Sequence, residues 1–349
     1  METLERDLPR VRFKDAQIEM AHGAGGKASR RLVEGLFLPL LANPVLQTLS
    51  DSAISELNGS KIATTADGYV VRPLRFPGGS IGELAVNGTV NDLAVAGARP
   101  LGLMAAFILE AGLAGDVLRA EVEAMAAAAK RAGVAIVGGD TKVVEHGLAD
   151  GMYVATFGFG EVDSRARLAP SSIREGDRVL LSGPIGDHGI TILLARGELD
   201  LEADLRSDTR SVVPFVEALL ESVAEGLRWM RDPTRGGVAT ALNELARETE
   251  LGITIFEEAI PLRDEVRGAC EILGLDPLHI ANEGQLLAVV APEHADAALA
   301  SMQAVSGGES AVCIGEVRSK PARAVLAVTS YGGSRIIDML VGDPLPRIC

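Results

Sequence analysis

The sequence predicts an α/β (α+β) protein of two domains with a short tail, and three observations carry that prediction. Its 349 residues exceed one ordinary core, because domains average about 150 residues. Helix-period and strand-like segments alternate along most of the chain. One stretch, "DSRARLAPSSIREGD" at 163–177, breaks both periods with turn formers and charge, and it reads as the linker. The expected units are an N-terminal domain over 1–165, a C-terminal domain over 166–340 and a mobile tail over 341–349.

In the first unit the runs "KIATTAD" (61–67), "LGLMAAFILE" (101–110), "VAIVGGD" (134–140) and "MYVATFGFGEV" (152–162) are bounded by glycine or charge and predict strands. Apolar residues spaced by three and four over 81–97 and 114–132 predict helices. The second unit begins with a strand at 178–183 and helices near 187–197, 210–225 and 236–248. A strand at 252–257 and a helix at 263–274 follow, and strands near 285–291, 311–317, 323–329 and 335–340 close it. No short-period repeat interrupts this order.

Composition narrows the function. With 33 basic against 48 acidic side chains the net charge is −15, which repels nucleic acid and anionic lipid surfaces. The longest apolar runs are too short to span a bilayer, and "METLERDLPR" places charge where a secretory signal needs apolar residues. The expected location is the cytoplasm, with neither nucleic acid nor membrane as a partner. The three cysteines include no C-x-x-C pair, so neither a disulfide framework nor a zinc knuckle is indicated. Cys270 lies in a helical pattern and Cys313 in a strand pattern, both readable as small core residues. Cys349 has no such explanation. It ends "VGDPLPRIC", a segment with two prolines and no apolar periodicity.

Two kinds of motif offer chemistry. "HGAGGKASRRLVEG" at 22–35 is a glycine-rich turn feeding a helix, which can present backbone N–H groups and Lys27 to an anion or can simply be a tight turn. It is no P-loop, since Ala28 follows the lysine. Carboxylates recur where strands end or turns begin: Asp51 in "LSDSA", Asp67 in "TTADG", Asp92 in "VNDLA", Asp140 in "GGDTK" and Asp232 in "RDPTRGG". Each alone reads as a turn or cap residue. Together they resemble the oxygen-rich ligand set that holds Mg²⁺ against nucleotide phosphates. Asp92 sits beside Asn91 inside an apolar helical pattern, where a solvated face is a poor explanation. "GGDTK" joins Gly139, Asp140, Thr141 and Lys142 just past a strand, and "ANEGQLL" puts Glu283 immediately before one.

"HGAGGK", "TTADGYVVRPLRFPGG", "GELAVNGTVNDLAVAGARP", "AIVGGDTKVV", "RDPTRGGVATALNELA", "ANEGQLL" and "DPLPRIC", taken in order, resemble the HypE family of hydrogenase maturation proteins. The resemblance implies a PurM-like architecture shared with aminoimidazole ribonucleotide synthetase, selenophosphate synthetase and thiamine-monophosphate kinase. It also implies ATP and Mg²⁺ as cofactors, the carbamoyltransferase HypF and the HypC–HypD scaffold complex as partners, and a homodimer formed through the N-terminal domain. In that family the C-terminal cysteine is carbamoylated by HypF and the group is then dehydrated with ATP to a thiocyanate. The cyano group becomes the cyanide ligand of nickel–iron hydrogenase. Carried over by motif, Cys349, Lys142 and Glu283 are catalytic. Lys27, Asp51, Asp67, Asn91, Asp92, Gly139, Asp140, Thr141 and Asp232 face the cofactor, with Asp51, Asp67, Asp92 and Asp232 on the metal.

These residue types suit the reaction. An amide oxygen leaves poorly until it is phosphorylated, and phosphoryl transfer is helped mainly by positioning and by cations on the phosphoryl oxygens. A base must then take protons from nitrogen; Glu283 is the candidate, with Lys142 orienting the carbamoyl oxygen or the phosphate, and the reverse assignment stays open. Nine extended residues from Val341 reach at most about 30 Å, enough to move the thiol between two sites. The competing readings are a superfamily kinase or synthetase, for which Cys349 is incidental, and an ATP-binding scaffold.

Overall fold

In the computed structural model, which describes residues 12–41, 43–197, 203–342, 345 and 347–349, the strand-like runs pair into two large sheets. A bent helical segment comes first, α1 (Lys27–Leu32), a π-helical turn and α2 (Leu38–Leu41). Strands β1 (Ala53–Leu57) and β2 (Ser60–Tyr69) follow, then the short β3 (Arg75–Phe76) and β4 (Gly79–Ser80). Helix α3 (Ile81–Val95), β5 (Ala98–Glu110), α4 (Gly115–Arg131), β6 (Ala135–Val144) and β7 (Met152–Val162) complete the first sheet, ordered β1-β2-β7-β5-β6. Among the described residues of this sheet, only β5 and β6 pair in parallel. The expected helices and strands of this half are present, and β1 is an addition.

Helix α3 is apolar on nearly all sides, so it lies inside, buried along its length. It packs on β2, β5 and β7, with α4 against its flank. Among the described residues nothing covers the opposite sheet face: Met104 and Phe157 stand in register on it, 46% and 48% exposed. Ile136, Val137 and Val143 of the edge strand β6 are exposed too.

The second half contains β8 (Arg178–Leu181), α5 (Asp187–Ala195), α6 (Val213–Val223), β9 (Leu227–Arg231), α7 (Gly237–Thr249), β10 (Gly252–Phe256) and α8 (Asp264–Leu273). It closes with β11 (Leu287–Val290), α9 (Ala295–Gln303), β12 (Val312–Arg318), β13 (Val325–Val328) and β14 (Ser334–Ile337). The sheet order is β14-β13-β10-β12-β8-β11-β9. Strand β9 and helix α9 go beyond the sequence expectation. "LRWMR" puts arginine at alternate ends of a five-residue strand, and the alanine-rich α9 has little polar contrast between its faces. Among the described residues, no helix is long and apolar enough to cross a membrane.

One core spans both halves: Leu84, Leu103 and Met125 of the first unit cluster with Ile190, Cys270 and Ile280 of the second. Leu345 and Ile348 of the tail join it. The described residues of that segment, which shows no periodicity, are therefore docked at Leu345 and Ile348. Burying these two side chains contributes about 1.5–3 kcal/mol each, offset by an ordering cost of about 1–2 kcal/mol per residue. Docking thus also requires the tail's hydrogen bonds.

Candidate active site

Four of the sequence-predicted aspartates converge. Asp51 precedes β1, Asp67 lies on β2, Asp92 near the end of α3 and Asp232 just after β9; all line one cavity of about 170 Å³ with Gly25, Arg231, Arg235 and Glu244. Carboxylate oxygens of Asp51, Asp92 and Asp232 lie within 4.8 Å of one another. Local bonds hold them. The Thr65 hydroxyl donates to Asp92 Oδ2 at 2.7 Å, and Arg231 reaches Asp51 and Glu244, each at 3.0 Å. Thr89 donates to Asp67 Oδ2 at 3.3 Å.

Burial and mutual repulsion make Asp67, Asp92 and Asp232 hard to ionise. Asp92 is pushed well above the usual carboxylate range by burial, then by Asp67, Asp232 and Asp51. Asp232 is pushed up to about 8, first by burial and then by Asp51, against the pull of Arg231. Asp67 is raised by burial, with Arg235 opposing. A set of close carboxylate oxygens is the donor chemistry of a hard divalent cation such as Mg²⁺, whose charge would offset their repulsion. Asp51, Asp92 and Asp232 fit as ligands, with Asp67 beside them.

A pH dependence follows. A raised carboxylate pKa favours the protonated form in the fold, so its contribution to stability is complete below pH 4 and is lost as pH climbs through about 8 for Asp232. An ion that binds the ionised form should therefore stabilise the protein increasingly over that interval, by about 2.7 kcal/mol at a free concentration one hundred times Kd. Thermal unfolding with and without Mg²⁺ between pH 5 and 9 measures this. A shift independent of pH would remove the carboxylates as ligands.

The tail ends next to this cavity. Val70 N–H donates to the Cys349 carboxylate at 2.9 Å, and His188 Nε2 lies 2.7 Å from Ile348 O. Arg347 pairs with Asp150 at 2.9 Å, tying the tail to the first domain. Cys349 is half-buried, and charge at Cys349 is the leading influence raising Arg235, a cavity residue. Glu283 is buried and raised well above its ordinary value by burial, then by Asp232, Asp208 and Asp67, with Arg235 opposing. Glu283, Arg235 and Cys349 thus share one electrostatic neighbourhood.

Other predicted residues lie elsewhere. Lys27 pairs with Asp338 at 2.5 Å, and the N–H groups of Lys27 and Ala28 donate to the carbonyls of Leu340 and Val341. The glycine-rich turn therefore grips the root of the tail; only its Gly25 lines the cavity. A Cβ on Gly26 would meet Leu340 O at 2.2 Å, which explains the glycine. Asn91 faces the second domain, donating to the carbonyls of Arg210 and Glu283 and accepting from Val212 N–H. Gly139 fits closely on β5, where a Cβ would stand 1.8 Å from Ala105 O. Asp140, Thr141 and Lys142 do not line the cavity. Asp140 and Lys142 bond to each other at 2.6 Å and are exposed. Strand parity explains this for Asp140 and Lys142: Lys142 stands opposite Ile108, Asp140 opposite Ala106 and Gly138 opposite Met104 on the uncovered face, whereas Asp67 points toward α3 on the other side.

Comparison with known proteins agrees with this architecture. The family model "AIR synthase related protein, N-terminal domain" matches residues 49–162, and "AIR synthase related protein, C-terminal domain" matches 174–326. The carbamoyl dehydratase HypE of Azotobacter vinelandii is 49% identical over 342 residues, 98% of this chain and 100% of its own. This chain belongs to the HypE family. A crystal structure of hydrogenase maturation protein HypE in complex with ATP superposes with a TM-score of 0.79 at 45% identity, covering 95% of this chain and 100% of that one. A HypE–HypF complex gives 0.84 at 43% identity, covering 88% and 99%.

Within this HypE-family site, sequence reasoning missed Arg231, Arg235, Thr65 and His188. The two arginines flank Asp232 in "RDPTRGG", and His188 lies between Asp187 and Gly189 in "GDHG". Thr65 has no local signal beyond its place in a strand; its partner Asp92 is 27 residues away.

Proposed function

We propose that this HypE-family protein uses ATP to dehydrate a carbamoyl group carried on Cys349 to a thiocyanate. The observation that supports this best is the docked tail, which brings Cys349 close enough to act on Arg235, a residue of the acidic cavity that Glu283 also acts on. ATP would occupy that cavity, and a Mg²⁺ ion held by Asp51, Asp92 and Asp232 would neutralise its phosphate charge. Phosphoryl transfer to the carbamoyl oxygen turns it into a leaving group; departure of phosphate with loss of the nitrogen protons leaves C≡N on sulfur. Glu283 is suited to accept a proton, because its raised pKa makes it a stronger base once ionised. Arg235 steadies negative charge between Cys349 and the cavity. HypF would load the thiol, and the HypC–HypD complex would receive the cyano group. The test is the mass of the C-terminal peptide after incubation with Mg-ATP and the carbamoyl-donating enzyme. A gain of one carbamoyl group followed by loss of one water is expected, and label on a free small molecule with Cys349 unmodified would return the protein to the kinase class.

Lys142 can take part only across two chains. Its side chain lies on the uncovered apolar face with Ile108, away from the tail of its own chain. We place a homodimer on that face and the β6 edge, since exposed apolar sheet surface seeks cover. Lys142→Ala and Cys349→Ala should each be inactive alone, and mixing them with subunit exchange should restore activity to a sizeable fraction of the wild type. A mixture as inactive as its parents would exclude Lys142 from the site.

A further inference from the structure

His188 is used by none of the chemistry above, yet it is fully buried at the start of α5 and holds the tail. Its Nδ1 lies 2.8 Å from Ser207 Oγ and its Nε2 2.7 Å from Ile348 O. The direction of this relay can be worked out. Thr209 N–H donates to Ser207 Oγ at 3.1 Å, so the Ser207 hydroxyl is free to donate to Nδ1. The proton then sits on Nε2, and a carbonyl oxygen can only accept. Burial draws the imidazole down to about 4, which keeps it neutral at pH 7. The ring edge also packs against Phe76, centroids 5.7 Å apart, which fixes its plane.

The bond falls where it controls the thiol. His188 fixes the carbonyl on one side of the Cys349 Cα, and Val70 N–H fixes the carboxylate on the other. With both flanks held, Sγ can move only about χ1. We propose that His188, oriented by Ser207, is a positioning residue that latches the penultimate carbonyl of the tail and so holds Cys349 in the dehydrating site rather than leaving it at a partner's surface. This rests on the reading of Cys349 as the substrate carrier.

The experiment compares His188→Asn, whose amide is too short to reach Ile348, with His188→Gln, whose amide nitrogen falls near the Nε2 position. Two readouts are taken on the full chain: alkylation of Cys349 by a small maleimide without ATP, located by peptide mass, and single-turnover dehydration of carbamoylated protein. A lost buried hydrogen bond corresponds to about tenfold. The Asn variant should alkylate about tenfold faster and dehydrate about tenfold more slowly while being carbamoylated at least as fast as the wild type. Gln should return both rates to within about threefold of the wild type. Asn behaving as wild type, or Gln failing as badly as Asn, overturns the latch. If the Asn variant does not fold, Ser207→Ala is read in the same assays, and unchanged thiol exposure overturns the proposal. Failure of the wild type to dehydrate would sink the catalytic reading instead, while the alkylation contrast still decides the latch.

Discussion

Replacing Cys349 by alanine should abolish covalent loading and thiocyanate formation completely. Neither other cysteine can substitute. Cys270 is buried in α8, its thiol pushed up to about 11, and Cys313 on β12 is raised by burial as well. Both are poor nucleophiles at neutral pH, because the thiolate is the reactive form. The position of Cys349 matters as much as its thiol. Its backbone oxygen accepts the Val70 N–H and its neighbour Ile348 is buried, so residues appended after it must be accommodated against this docked end. Such an extension should slow dehydration more than loading, which takes place on a partner. Peptide mass spectrometry separates the two steps; label on Cys270 or Cys313, or conversion in the alanine variant, would defeat the carrier role.

Asp92→Asn should lower Mg-dependent ATP turnover by about two orders of magnitude, the usual scale for removing one electrostatic contributor from a preorganised site. The asparagine keeps the volume and the acceptor for Thr65, whose hydroxyl donates to Asp92 Oδ2. Because Asp92 is raised well above the ordinary range by burial and three neighbouring carboxylates, the substitution also removes repulsion. The variant without metal should therefore be at least as stable as the wild type toward high pH, while its stabilisation by Mg²⁺ is reduced. Stability and turnover moving in opposite directions is the signature of a ligand rather than a structural residue. Wild-type turnover in carbamoylated Asp92→Asn protein would assign Asp92 to capping.

The sequence by itself determined the α/β class, most strands and helices, the acidic residues of the cavity and the terminal cysteine as the group in need of explanation. Those features are written locally, in apolar period and in carboxylates set where turns begin. Tertiary structure alone decided which of them meet. Whether a strand residue faces a helix or the uncovered side depends on the parity with which its strand joins the sheet, so Asp140 and Lys142 of "GGDTK" read like cavity residues and lie on the opposite face. Lys27 looked like an anion ligand because backbone N–H groups at a turn do not reveal their acceptor; Asp338 and the Leu340 and Val341 carbonyls come from 311 or more positions away. Asn91, read as a cofactor residue, spends its amide bracing the two domains. The tail carries no period to announce packing, since two side chains and a few backbone bonds into a core built by both domains suffice to dock it. Partners distant in sequence leave no local pattern, and Lys27 and Asn91 are residues whose partners are distant.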